Sequence, residues 1–260
     1  MRQIIDLSVA LQAGIASDPP GMRPSIRYLD HLEGARELEQ TFGIPPDKLL
    51  DGQGAAVEIL ETTTHAGTHM DAPWHYHPTM NNGERAITID EVPLEWCFGR
   101  GVKLDFRALP DGHRVSAAEV AAELERIGHL LQPGDIVLVN TRAGSRYGQD
   151  DYVSAGCGMG REATLWLTDR GVRLVGTDGW SWDPPLGAVM AGIREHGDWS
   201  RFWEGHKAGA ETCYCHMEKL GNLERLPATG FDVIALPVKV ARGSAGWCRP
   251  VALLDEERPA

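Results

Sequence analysis

The sequence predicts a mixed α/β fold, and three observations carry that prediction. Two nearly continuous apolar runs, 135–141 and 172–177, read as strands covered on both faces. A helical stretch over about 160–170 joins them, and such a β-α-β unit normally makes a right-handed parallel crossover. Strand-like segments also stand early and late, with Ile4, Ile5, Leu7 and Val9 in 3–11 and the runs 231–240 and 247–254 near the other end. No repeat and no charge block divides the chain, so residues 1–260 are expected to form one domain.

The remaining elements follow in order. Over 14–54 the regular pattern is lost to Pro19-Pro20, Pro24 and Pro45-Pro46, apart from a helical patch at 32–42. Ile15, Met22, Tyr28, Leu29, Leu38 and Phe42 give this long segment apolar anchors, which argues for a lid or an oligomer contact rather than disorder. Residues 55–64 read as a strand, 80–84 as a turn, and 87–92 lead to a further strand at 101–106. Ser116 and Glu119 make a capping box for a helix whose apolar stripe is Val120, Leu124, Ile127 and Leu131, and Pro133-Gly134 ends it.

Composition narrows the classes of function. A hydrophobic content of 42% suffices for a sizeable core, and the net charge is 25 − 37 = −12. An acidic surface disfavours nucleic acids and anionic membranes as partners. No apolar stretch has bilayer-spanning length, and Asp6 interrupts the opening residues, so neither a membrane span nor a secretory signal is expected. Five scattered cysteines without a C-x-x-C fit a reduced, cytoplasmic protein. Cys213-Tyr214-Cys215 reads as alternation in a strand with one side buried rather than as a metal pair.

The chemistry concentrates in 64–77, which holds four of the ten histidines. His65, His69 and Asp71 offer two imidazoles and a carboxylate within seven residues, a donor set that suits a divalent first-row metal. His75 adds an imidazole near enough to move protons for whatever the metal activates. Gly67, the β-branched residues before His65 and Pro73 argue against one long helix and for a strand running into a tight turn or single helical turn. Downstream, Asp178-Gly179-Trp180-Ser181-Trp182-Asp183 follows a buried strand, where its acids could orient imidazoles or simply cap a turn. His206, His216 and Glu218 are further candidates, and spacing alone does not choose among them.

The run His65-x-Gly67-Thr68-His69-x-Asp71-x-Pro73-x-His75-Tyr76 resembles the signature of the metal-dependent cyclase family, which includes bacterial kynurenine formamidases and isatin hydrolases. Tyr76 stands where the family usually has Phe, every polar position matches, and the likeness continues through Asp178-x-x-Ser181-x-Asp183. The resemblance implies that His65, His69 and Asp71 bind metal and that His75 is the catalytic acid or base. It further implies a second metal-binding pair, a His and a Glu twelve residues later. His206 and Glu218 have that separation, which sets His216 aside; Glu218 would serve as ligand or as base. The implied cofactor is Zn2+ or Mn2+, one or two ions, in a swivelling β/β/α domain that assembles as a homodimer or homotetramer. The long 14–54 segment places the chain nearer the isatin-hydrolase-like branch. The expected reaction is hydrolysis of a small aromatic or cyclic amide, with an aryl formamide or lactone as rival substrates and dehydrating ring closure as the rival chemistry. Trp74, Tyr76, Trp180 and Trp182 would suit a flat substrate, and His77 is left with a structural role.

Overall fold

In the computed structural model, which describes residues 2–255, the expected buried strands lie at the centre of a nine-stranded mixed sheet. The expected span of 1–260 runs past the described residues at both ends. The first strands are β1 (Arg2–Asp6), β2 (Ser25–Leu29), β3 (Val57–Glu61), β4 (His69–Asp71), β5 (Thr79–Met80), β6 (Glu84–Arg85), β7 (Phe98–Asp105) and β8 (Arg114–Val115). They are followed by β9 (Ile136–Asn140), β10 (Gly158–Met159), β11 (Leu174–Thr177), β12 (Cys215–Glu218), β13 (Phe231–Ile234), β14 (Ala245–Trp247) and β15 (Val251–Asp255). The α-helices are α1 (His31–Phe42), α2 (Pro73–Tyr76), α3 (Ala117–Arg126), α4 (Arg161–Thr168), α5 (Leu186–His196) and α6 (Glu204–Lys207).

The large sheet runs β1-β15-β13-β7-β9-β11-β12-β4-β14. Its central pairs, β7/β9, β9/β11 and β11/β12, are parallel, and antiparallel pairs flank them. Two crossovers build the parallel part, β7-α3-β9 and the expected β9-α4-β11. Strand β9 is buried at all five positions, and its side chains divide by parity. Ile136 and Leu138 join one core with Ile5, Met217 and Phe231, while Val137 and Val139 join the other with Val120, Leu124 and Leu167 from α3 and α4. Burying four such side chains contributes at most about 6–12 kcal/mol. Beyond β1 the chain reaches across to the far strands: Gly221 N–H donates to the Leu7 carbonyl, and Val9 N–H donates to Thr68 Oγ1. The sheet is therefore curled, and this closure brings residues 7–9 beside the segment that carries the histidines.

The structure trims several expectations. The helix predicted over 116–131 stops at Arg126, because Gly128 takes φ +69° and turns the chain, although Leu131 stays buried. The strand predicted at 55–64 does not enter the large sheet. Its core, β3, pairs only with β2 in a two-stranded ribbon and is exposed at every position. Pro250 separates β14 from β15 within the predicted 247–254 run. Cys213, Tyr214 and Cys215 are all buried, so that triplet is covered on both sides rather than one.

Candidate metal centre

The site grows from a turn, a three-residue strand and one helical turn. Gly67, at φ +64°, reverses the chain after His65, a conformation open to glycine without steric cost. In β4, His69 and Asp71 point to one side while Met70 enters the core from the other, as the two-residue period of a strand requires. Pro73 then starts α2, whose single turn carries His75 back over Asp71. Strand β12 lies antiparallel to β4 in a register that sets His216 opposite Asp71 and Glu218 opposite His69. The short helix α6 adds His206.

The two carboxylates each divide their oxygens between two groups of imidazoles. On one side, Asp71 Oδ1 stands 2.9 Å from His65 Nδ1 and 3.4 Å from His69 Nε2, and Glu218 Oε2 stands 3.6 Å from His69 Nε2. On the other, Asp71 Oδ2 is 3.0 Å from His216 Nε2, 3.8 Å from His75 Nε2 and 4.0 Å from His206 Nε2. Glu218 Oε1 is 3.2 Å from His216 Nε2 and 3.8 Å from His206 Nε2. Four donors around a tetrahedral ion at ordinary bond lengths stand about 3.3–3.6 Å apart. The measured separations bracket that value.

A metal fits these residues on a second ground. His69 Nε2 and Asp71 Oδ1 are buried without a hydrogen-bond partner, which is costly for polar atoms unless something else satisfies them. The ring orientations agree. His69 Nδ1–H donates to the Gly67 carbonyl at 2.9 Å, leaving Nε2 with a free lone pair. His206 Nδ1–H donates to Asp183 Oδ2 at 2.5 Å, with the same consequence for its Nε2. Asp183 also accepts from the Gly205 and His206 N–H groups, and Glu218 Oε1 accepts from the Trp182 N–H.

Electrostatics follow from this packing. Burial pushes the Asp71 carboxyl up, but His69, His216 and His65 outweigh it and hold the group well below the usual range. Burial likewise raises Glu218, and His216 beside it turns the balance downward. His216 is driven the other way: burial lowers it, yet its contacts with Asp71 and Glu218 lift it to about 9. His65 is raised by Asp71 against the opposing effect of burial. In His75 burial outweighs the upward pull of Asp71 and, with His206 and His65 nearby, takes the ring down to about 4.

The structure brings His65, His69, Asp71, His75, His206 and Glu218 together. It also brings in His216, which the family resemblance had set aside. His216 lies in the same cluster, stacked on Tyr76 at 4.9 Å between ring centres. A signal for it existed, since residues two apart in a strand share a face and His216 precedes Glu218 by two. Asp183 does orient an imidazole, whereas Asp178 instead accepts from Asn140 and Thr141, where burial pushes its carboxyl up to about 7. Among the aromatics, Tyr76 and Trp182 stack on His216, while Trp74 faces outward. Trp203, absent from the expected set, lies flat on His206 at 4.3 Å with its edge toward His75. It does so at φ +55°, a conformation strained for a bulky residue and common at functional positions. His77 bonds Thr79 at the surface, outside the cluster.

Comparison with known proteins extends these observations. The family described as "Putative cyclase" matches residues 5–184. Kynurenine formamidase of Erythrobacter litoralis (strain HTCC2594) is 28% identical over 201 residues, covering 77% of this chain and 78% of the relative. Kynurenine formamidase of Salinibacter ruber (strain DSM 13855 / M31) is 29% identical over 219 residues, covering 84% and 88%. Among solved structures, isatin hydrolase A from Labrenzia aggregata bound to benzyl benzoate superposes with a TM-score of 0.74 at 23% identity, covering 98% of this chain and 94% of that one. Isatin hydrolase A from Ralstonia solanacearum gives 0.76 at 20%, covering 98% and 92%. At such identities these structures bear on the fold alone.

Proposed function

The chain belongs to the cyclase family, and from that premise we propose that it is a metal-dependent hydrolase of a small cyclic amide, in the manner of an isatin hydrolase, with an aryl formamide as the second candidate substrate. One observation carries the reading: Asp71 and Glu218 each offer one oxygen to either of two groups of buried imidazoles. In this reading His65, His69 and Asp71 would hold one ion, and His206 and Glu218 would hold a second where two are bound. His216 stands within the second group. The aryl formamide is kept because the curated relatives carry the formamidase name.

A divalent ion bound here, Zn2+ or Mn2+, supplies Lewis acidity and brings the pKa of a bound water toward neutrality. The protein has to move protons around it. Hydrolysis of an amide takes one proton from water and delivers one to the leaving nitrogen. His75 is suited to both transfers: burial keeps it neutral at working pH, and its Nε2 reaches within 3.8 Å of Asp71 while its ring stays partly open to solvent. Glu218, held ionised, is the alternative acceptor for the first proton. Asp183 and Trp203 hold His206 in place from its edge and its face. Trp203 also stands beside His75, with ring centres 5.4 Å apart, and this aromatic neighbour suits an aromatic or cyclic substrate.

The chain is further read as one domain that assembles into a homodimer or homotetramer. The exposed β2–β3 ribbon supports this, since two strands alone are marginal in water and theirs carry Tyr28, Val57, Ile59 and Leu60 in the open. All five cysteines are unpaired, which supports a reducing, cytoplasmic setting. Among the described residues, no helix is long and apolar enough to cross a membrane. The test combines metal content, measured by mass spectrometry on protein purified without added metal, with steady-state turnover of isatin, N-formylkynurenine and a dienelactone. Bound Zn2+ or Mn2+ with turnover of isatin is expected. A metal-loaded protein that turns over none of the three overturns the assignment.

A further inference from the structure

Behind the metal centre lies a buried ion pair that the proposed reaction does not use. Lys219 and Asp18 are each 2% exposed and meet at 2.5 Å between Nζ and Oδ1. Asp18 comes from the irregular segment between β1 and β2. Its side chain also accepts from Trp180 Nε1 and Ser17 Oγ, so both carboxylate oxygens are engaged.

Lys219 follows Glu218 directly, and it grips the 65–68 turn at both ends. Its Nζ donates to the His65 carbonyl at 2.7 Å, and its own carbonyl accepts from Thr68 Oγ1 at 2.6 Å. Its N–H donates to the Gly179 carbonyl. It does all this at φ +56°, a left-handed conformation that disfavours a residue with a Cβ. The turn is also tied by the Ala66 N–H to the Thr63 carbonyl at 3.2 Å, the Cys248 N–H to the Thr68 carbonyl at 3.2 Å and the Val9 N–H to Thr68 Oγ1 at 2.9 Å. Of these contacts, those of Lys219 join it to the residue that follows Glu218. A strained, fully buried lysine tied to a buried carboxylate is a costly arrangement for packing alone. Its geometry instead sets the distance between the turn bearing His65 and His69 and the strand end bearing Glu218.

Resting on the metal-binding reading above, we propose that Lys219 and Asp18 form a clamp that fixes the 65–68 turn at ligating distance from Glu218. The N-terminal segment thereby completes the metal centre through Asp18 rather than merely covering it. Neither residue is placed as a ligand; both act as positioning residues, through the His65 carbonyl and the Thr68 hydroxyl.

The experiment measures Zn2+ affinity of the metal-stripped full chain by competition with a chromophoric chelator. Lys219→Met and Asp18→Asn are each expected to weaken binding about tenfold or more, the scale on which supporting contacts tune metal sites. Either change leaves one buried charge alone, so Asp18→Leu/Lys219→Met is made alongside. An apolar pair of similar volume restores the melting temperature but not the hydrogen bond from Nζ to the His65 carbonyl. The double variant should therefore melt near the wild type and still bind Zn2+ about tenfold more weakly. Wild-type affinity in that variant overturns the clamp. Thr68→Val cuts the other arm without involving a charge, together with the bond that Thr68 Oγ1 accepts from the Val9 N–H, and decides the matter should the charge variants fail to fold. A loss of about threefold or more is expected there, and unchanged affinity overturns the proposal. A wild-type chain that binds Zn2+ but hydrolyses no amide refutes the hydrolase assignment and leaves the clamp standing.

Discussion

If two ions bind as proposed above, Asp183→Asn weakens one half of the metal centre selectively. The buried carboxylate receives the Gly205 N–H at Oδ1, 2.8 Å away, and both the His206 N–H and the His206 Nδ1–H at Oδ2, at 3.0 and 2.5 Å. An asparagine keeps one acceptor oxygen. The less costly orientation leaves that oxygen facing His206 and turns the NH2 group toward the Gly205 N–H, so that two donors meet. Leaving that pair unsatisfied costs about 1–3 kcal/mol of stability, or a fall of very roughly 2–12 °C in Tm for a chain of this size. At His206 a charge-assisted bond becomes a neutral one of about half the strength, and the ring is a poorer ligand for it. A loss of about tenfold in affinity at the site served by His206 follows, equivalent to about 1.4 kcal/mol. The site served by His65 and His69 shares no bond with Asp183 and should hold its affinity. A chelator competition titration resolves the two, with metal stoichiometry by mass spectrometry as a check. Equal losses at both sites, or wild-type affinity at both, would falsify the role given to Asp183.

Three further predictions address other parts of the molecule. His75→Ala should keep the bound metal and lose nearly all turnover; a drop in metal content instead would make His75 a ligand. In the metal-free protein, His216 is raised to about 9 from an ordinary 6.5, so its contribution is fully present below pH 6.5 and is lost as pH rises through 9. Thermal melts should accordingly show the metal-free protein losing on the order of 3 kcal/mol across that window, a loss that His216→Gln flattens. Zn2+ affinity should rise over the same window, because binding displaces the proton. Gly101→Ala would place a Cβ 1.9 Å from the ring of Phe231 on the adjacent strand, and about 1–3 kcal/mol of destabilisation with unaltered metal affinity is the expected result of melting and titration.

The fold was most legible where local pattern and tertiary setting agree. Strands β9 and β11 read correctly because a strand buried on both faces needs apolar side chains at every position. Helix α3 showed its start through Ser116 and Glu119, yet its end depended on the backbone turn at Gly128, which an apolar stripe continuing to Leu131 conceals. Strand β3 has the same local pattern as a sheet strand, and nothing in residues 57–61 states that its partner is β2. At the site, the histidine cluster was visible because its members are close in sequence. His216 escaped because its place is set by the register of β12 on β4, a pairing across 145 residues. The pairing of Asp18 with Lys219 was invisible for the same reason: Lys219 stands beside the candidate Glu218, but its partner lies 201 residues away.

The strand order has a consequence for how the protein is made. Strand β4 is flanked by β12 and β14, and β1 is flanked only by β15. The histidine-bearing strand therefore emerges from the ribosome long before either neighbour exists, and the first strand waits for the last described one. Such long-range pairing is slow to form and puts the closing steps after most of the chain has been synthesised. An imidazole cluster waiting in an unfolded chain can capture metal in the wrong geometry. The nest can assemble correctly only once β12 has docked, so metal loading belongs to the end of folding, and metal supply during synthesis should influence the yield of native protein more than the rate at which it forms.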